Sequence, residues 1–239
     1  MVQTPLKMGV FIESVQIQDT FRPLNEAEKK FAPKNITLKG DVSLLSEGGR
    51  VSIIGSRNAS AQGIARARRL SRLLVENGIT VVSGLAKGID TVAHRTAIEA
   101  GGRTIAVLGT PINEVYPAEN RELQEFIGES HLLVTQFPIG HPVLKKNFPV
   151  RNRLMALISD ATIIIEAHNK SGTIHQGWEA LRLARPLYIL ESAHDPSESS
   201  WSSVFLSYGA QILSDESFES LLESIPSHSP VLVDATYPF

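Results

Sequence analysis

The chain has 239 residues, a formal net charge of −2, 42% hydrophobic and 20% charged residues, and no cysteine. That is enough chain to bury a sizeable core, and the lack of cysteine excludes disulfides, thiolate zinc sites and thiol nucleophiles together. No apolar run approaches the roughly 20 residues that cross a bilayer, and the start lacks the basic flank, apolar run and cleavage site of an exported protein. A cytoplasmic protein with no membrane partner is expected.

Residues 1–40 have weak periodicity and contain Pro5, Pro23 and Pro33. They read as an irregular arm over 1–35 with a short helix near 25–31. Residues 36–39 and a turn at Gly40–Asp41 lead into the main domain. From residue 51 the pattern is regular. The apolar run 51–54 reads as a buried strand ending at Gly55. Residues 61–76 carry Ile64, Ala67, Leu70, Leu73 and Leu74 at helical spacing, and Asn77–Gly78 stops that helix. Strands follow at 79–82, 104–108, 132–135, 162–166 and 187–190. Helices are expected at 88–100, 118–127, 151–159 and 174–184. A last helix is expected near 218–225, followed by an extended tail.

Short Val/Ile/Leu strands that alternate with helices suit a parallel sheet covered on both faces. The expected fold is α/β, a doubly wound, mostly parallel sheet with helices on both faces, followed by an acidic, Ser-rich C-terminal section. Ligands of such sheets bind at the carboxyl ends of the strands.

The net charge conceals an asymmetry. Residues 186–239 contain eight acids and no Lys or Arg, which leaves residues 1–185 at +6. A positive body suggests an anionic partner.

Four strand-end loops carry candidate chemistry. The first contains Gly55, Ser56 and Arg57, then Ser60 as a helix cap; Arg57 can donate two parallel hydrogen bonds to a phosphate. It is not a G-x-G-x-x-G fingerprint, and the next strand ends in Ser83–Gly84 with no acid for a ribose, so NAD binding of the usual type is disfavoured. The second loop contains Ser83, Gly84, Lys87 and Gly88. Asp90 and His94 follow at i,i+4, which reads as a hydrogen-bonded pair, since no further ligands complete a metal site. The third runs from Leu144 to Arg153 and has four basic residues in ten, around Phe148; no Asp or Glu occurs from Ser130 to Ser159. Cations for phosphates and an aromatic surface for bases are the two components of single-strand binding. The fourth follows Glu166 and ends in Ser171, Gly172 and Thr173, which can offer backbone N–H groups to an anion. The arginines Arg66, Arg68, Arg69 and Arg72 fit a solvated helix face. No G-x-S-x-G elbow, Walker A or H-E-x-x-H sequence occurs.

Taken in order, these motifs resemble the DNA-processing protein A (DprA/Smf) family. The matching residues are Lys39-Gly40-Asp41, Ile53-Ile54-Gly55-Ser56-Arg57, Ser83 to Asp90 with His94, Thr104 to Gly109, Tyr116-Pro117, Phe148 to Arg153, and Glu166-Ala167 with Ser171-Gly172-Thr173. The resemblance implies an extended Rossmann-like, mostly parallel α/β domain over 36–191, completed or flanked by an acidic, Ser-rich section at 192–239, in a homodimer that binds single-stranded DNA in a basic pocket during natural transformation. It further implies loading of a RecA-type recombinase, with no cofactor and no conventional enzymatic activity. It places Arg57, Lys145 and Phe148 in the pocket, with Lys87 and Arg151, Asn152 and Arg153 along the same edge. Three stretches depart from the family pattern: Gln136 within Thr135 to Pro138, Ile174-His175-Gln176 after Thr173, and Glu191 to Asp195 after the sixth predicted strand.

A second function class stays open on the residues alone. The same edge suits one phosphate ester, as in a nucleotide sensor or an enzyme of the LOG group of phosphoribohydrolases. That group places Glu directly after its Gly-Gly-x-Gly-Thr loop; here Ile174, His175 and Gln176 follow Thr173, and the next acid is Glu179.

Overall fold

The computed structural model describes residues 12–17, 23–168, 171–197 and 200–225. The strands are β1 (Ile12–Gln16), β2 (Asn35–Gly40), β3 (Arg50–Gly55), β4 (Thr80–Ser83), β5 (Thr104–Val107), β6 (Leu132–Thr135), β7 (Ala161–Glu166), β8 (Leu187–Leu190) and β9 (Gln211–Leu213). The helices are α1 (Glu26–Phe31), α2 (Ala61–Glu76), α3 (Ile89–Glu99), α4 (Arg121–Ser130), α5 (Asn147–Ile158), α6 (Gly172–Arg182), α7 (Trp201–Ser207) and α8 (Phe218–Ser224).

All nine strands join one sheet in the order β1-β2-β6-β5-β4-β3-β7-β8-β9. The pairings β1–β2 and β2–β6 are antiparallel and the others parallel. The mostly parallel Rossmann-like fold expected from the sequence is therefore the observed one. β3 alternates between the two faces. Val51 and Ile53 join α2, α3 and α8 in one core, while Ile54 joins α5, α6 and α7 in the other. α5 is buried almost all round, with Leu154 to Ile158 at 1% exposure or less. Its apolar character on every side follows from that position.

The chain runs outward from β3 through β4, β5 and β6, then returns to β7 on the other side of β3. The loops after β3 and β7 therefore leave the sheet in different directions. A crevice opens between them at the carboxyl edge, where open α/β sheets place their ligands.

Three local readings need correction. Within 1–35, α1 is the short helix expected near 25–31, whereas β1 is a regular strand where an irregular arm was expected. β1 lies on the sheet edge with its residues mostly exposed, so it lacks the apolar alternation that marks a half-buried strand. α1 is set by a capping box: Asn25 Oδ1 accepts from the Glu28 N–H at 2.8 Å, and Glu28 Oε2 accepts from the Asn25 N–H at 2.9 Å. Second, α5 starts at Asn147 rather than Arg151. Pro149 lies in its first turn, where a missing N–H breaks no intrahelical bond. Third, the Ser-rich section contains α7 and β9 besides the expected last helix. Ser200 caps α7 by accepting from the Ser203 N–H at 3.1 Å, and β9 extends the sheet beside β8. The expected tail beyond residue 225 lies outside the described residues.

Two buried polar features shape stability. The Arg50 side chain donates to the carbonyls of Ile158 and Leu45, each at 2.8 Å, and Asp160 accepts from the Arg50 N–H at 2.8 Å. Removing one partner of a buried pair leaves the other charge uncompensated. Asp160→Ala is expected to lower unfolding free energy in urea by about 3–5 kcal/mol.

His94 is fully buried, and its Nδ1 lies 2.6 Å from Thr104 Oγ1. The Thr104 hydroxyl already donates to the Val81 carbonyl, so Nδ1 carries the proton and Nε2 is left as an unpartnered acceptor. Protonation would bury a charge there, and burial holds the ring at a pKa of about 3. Burial also depresses His131, to about 4. Below pH ~6.5 the unfolded chain binds protons that these folded imidazoles refuse, so this contribution to stability falls as pH drops from ~6.5 toward 3–4. The urea midpoint is expected to fall over that window, and His94→Gln should flatten the fall.

Candidate nucleic-acid cleft

The loop after β3 is locked against the start of α3. A Cβ on Gly55 would lie 2.5 Å from the Ile89 side chain, and Gly88, at φ +76°, brings its Cα within reach of the Ser56 carbonyl. The Ile89 side chain at Gly55 and the Ser56 carbonyl at Gly88 leave no room for a Cβ, so both positions require glycine. Ser60 then caps α2, accepting from the Gly63 N–H at 2.9 Å. Its own hydroxyl donates to Glu166 Oε2 at 2.5 Å, and its N–H to Glu166 Oε1 at 3.1 Å. Glu166, at the end of β7, thus ties the two loops at the crevice together. Arg57 projects from the first of them into solvent.

Arg151 fastens α5 to the same edge. It is buried, and its Nη1 donates to the carbonyls of Gly84 and, at 2.8 Å, Val107. Its Nε donates to Asn152 Oδ1 at 3.1 Å. Gly84 has no room for a side chain beneath that guanidinium. The balancing charge is Asp90, also buried, whose Oδ2 accepts from the Ala86 N–H at 3.3 Å. Burial raises the Asp90 pKa and lowers that of Arg151, and each charge opposes the other's shift. The expected Asp90–His94 pair is not formed: Asp90 faces Arg151, and His94 faces Thr104.

These constraints leave an open cleft of about 540 Å³. It brings together Gly55, Ser56, Arg57, Lys145, Phe148, Arg151, Asn152, Ser171, Gly172 and Thr173 from the sequence-based candidates. The Phe148 ring rests on Gly109, where a Cβ would come within 2.6 Å of it. The ring of Tyr116 lies beside it at 5.0 Å between centroids, tilted by 48°, and the Arg57 guanidinium lies 5.9 Å from its centre. Lys145 is exposed on the rim.

The other candidates point elsewhere. Ser83 donates to the Ile53 carbonyl at 2.7 Å. Gly84 and Gly88 support the backbone approaches described above. Lys87 pairs with Glu119. Arg153 pairs with Glu179 at 2.7 Å and lies 5.0 Å from the centre of the Phe31 ring. Conversely, Asn58, Tyr116, His168, His175 and Gln176 line the cleft without having been singled out as candidates for it. Tyr116 had a signal in the Tyr116-Pro117 motif, but only the fold places it against Phe148. Among the described residues, no group of three His, Cys, Asp or Glu is placed to hold a metal, and no helix is long and apolar enough to cross a membrane.

Residues 14–226 match the family model for DNA recombination-mediator protein A. The chain is 38% identical over 177 residues to DNA processing protein DprA of Streptococcus pneumoniae, covering 74% of this chain and 62% of that protein. It is 38% identical over 177 residues to protein Smf of Synechocystis sp., covering 74% of this chain and 44% of that protein. The chain thus spans less than two thirds of the length of either relative. The crystal structure of the pneumococcal protein superposes with a TM-score of 0.77 at 32% identity, over 91% of this chain and 75% of that one. DNA processing protein A of Helicobacter pylori, described with a unique single-stranded DNA binding mode, superposes with a TM-score of 0.74 at 27% identity, over 92% of this chain and 100% of that one. On the matched model and these identities, the chain belongs to the DNA recombination-mediator protein A family.

Proposed function

We propose that the cleft binds single-stranded DNA and that the protein acts as a recombination mediator on incoming strands. The observation that carries this reading is Phe148, beside Tyr116 and within reach of the Arg57 guanidinium in an open cleft with Lys145 on its rim. Every base has a π face, so an aromatic platform beside cations binds strands with little regard to sequence. Bases inside a duplex are already stacked and cannot reach such a platform. The binding mode described for the Helicobacter pylori relative supports the same ligand.

The carboxylates near the cleft favour binding over catalysis. Asp90 is opposed by Arg151, and Glu166 accepts from Ser60. Glu179, the first acid after Thr173, binds Arg153 and Arg182. None is poised as a general base, which argues against the phosphoribohydrolase alternative. On this reading the protein works as a cytoplasmic homodimer and passes its strand to a RecA-type recombinase.

Binding of an oligothymidylate should weaken steeply with salt, because neutralised phosphates release counterions. Arg57→Ala and Lys145→Ala should each lower affinity and reduce the log–log salt slope by about 0.7. Fluorescence anisotropy across a salt series measures both. No binding at low salt, or wild-type behaviour in both variants, overturns the reading.

Phe148→Ala should cost about 1–3 kcal/mol of binding with the slope unchanged, since stacking moves no counterions. Incubation with nucleoside monophosphates tests the alternative, and release of free base would favour the enzyme.

A further inference from the structure

One end of the cleft holds polar groups that have no partner among the described residues. Gln176 is 4% exposed, yet its Nε2 has no hydrogen-bond partner. Ser171 Oγ is likewise buried and unpartnered. Both residues line the cleft. A buried donor without an acceptor costs about 1–3 kcal/mol, so the arrangement is complete only when an acceptor arrives from outside.

The backbone at the same place is also unsatisfied. Ser171 is the N-cap residue of α6, but its side chain makes no capping bond. The N–H groups of Gly172 and Thr173 open the helix, where backbone donors have no intrahelical acceptor. No atom lies within 4 Å of where a Gly172 side chain would begin, so an incoming group can approach this backbone closely. The first turn of α6 carries no acid. Asp90 is the carboxylate that lines the cleft, and Arg151 opposes its charge. Neutral donors at a positive helix end, with no competing free carboxylate, select an anion with several acceptor oxygens.

We propose that Gln176, Ser171 and the opening N–H groups of α6 form a phosphate subsite, separate from the cationic contacts of Arg57 and Lys145. It receives one phosphate group of the bound strand, so the proposal rests on the single-stranded DNA reading above. The phosphate is either an internal diester or a terminal monoester.

The test compares wild type, Gln176→Leu and Gln176→Glu on an oligothymidylate, after thermal melts establish that each is folded. Gln176→Leu should weaken binding about tenfold or more, the loss expected of a hydrogen bond to a charged group. Its salt slope should match wild type, unlike that of Arg57→Ala, because the lost donor is neutral. Gln176→Glu, which keeps the shape and adds a negative charge, should weaken binding further.

A set of oligonucleotides with one neutral methylphosphonate each then locates the phosphate. At one linkage the modification should weaken wild type and leave Gln176→Leu unaffected. If removal of a terminal phosphate produces that pattern instead, the ligand is the monoester. Binding of Gln176→Leu within twofold of wild type, or a Gln176→Leu loss that no phosphate modification reproduces, overturns the subsite. If wild type binds no DNA even at low salt, the earlier reading fails, and thermal stabilisation by inorganic phosphate or thymidine monophosphate decides the subsite separately. Stabilisation lost in Gln176→Leu upholds it; no stabilisation of wild type overturns it.

Discussion

The cleft depends on one buried guanidinium. Arg151 joins α5 to the carbonyls of Gly84 and Val107, at the ends of β4 and β5. The residues proposed to meet the strand lie just before it: Phe148 three positions earlier and Lys145 six. Beside this anchor, the first turn of α5 is held by the Phe148 ring on Gly109 and by Asn147, whose Nδ2 donates to the Pro142 carbonyl at 3.0 Å. Burying the pair with Asp90 carries a desolvation penalty that its mutual attraction only partly offsets. Such pairs are weak sources of stability, but they specify position, and here position determines where the aromatic platform stands.

The same edge is organised by the return of the chain across β3. Because β4 and β7 flank β3 on opposite sides, the loops after β3 and β7 diverge and leave space between them. Glu166 spans that space by accepting from Ser60, and the glycines at 55 and 88 let the β3 loop lie directly on the start of α3. The cleft is therefore preformed. On the proposed reading, a strand would meet aromatic and cationic groups that are already placed, which reduces the ordering cost of binding.

Much of this fold was legible in the sequence, for a physical reason. Strands buried on both faces need continuous apolar runs, and helices packed on them need a 3.6-residue period, so α2, β6 and β8 have the bounds their residues predict. β1 and α7 escaped because neither needs such a pattern: one is an exposed edge strand, the other a short, serine-capped helix. At the cleft, residue type was legible but direction was not. Arg151 and Arg153 look alike in the sequence. Two positions apart on a helix they face nearly opposite ways, one toward Asp90 and the sheet edge, the other toward Glu179 and Phe31. Tyr116 and Gln176 come from elements distant in sequence, and only the sheet topology brings them to one place.

The charge asymmetry acquires a spatial meaning from the same topology. The acidic section returns beside α2, where Asp215 meets Arg69 at 2.9 Å. Glu191, Asp215 and Glu216 share a hollow with Arg66 and Arg69. That exposed pair adds little to stability, but the acids dilute positive potential over this part of α2. Arg57 and Lys145 form no ion pair among the described residues, and the acid-free stretch from 130 to 159 supplies no carboxylate nearby. Positive potential is thus reduced on the helix surface and retained at the cleft, so a chain with a net charge of −2 still presents a local attraction for a polyanion.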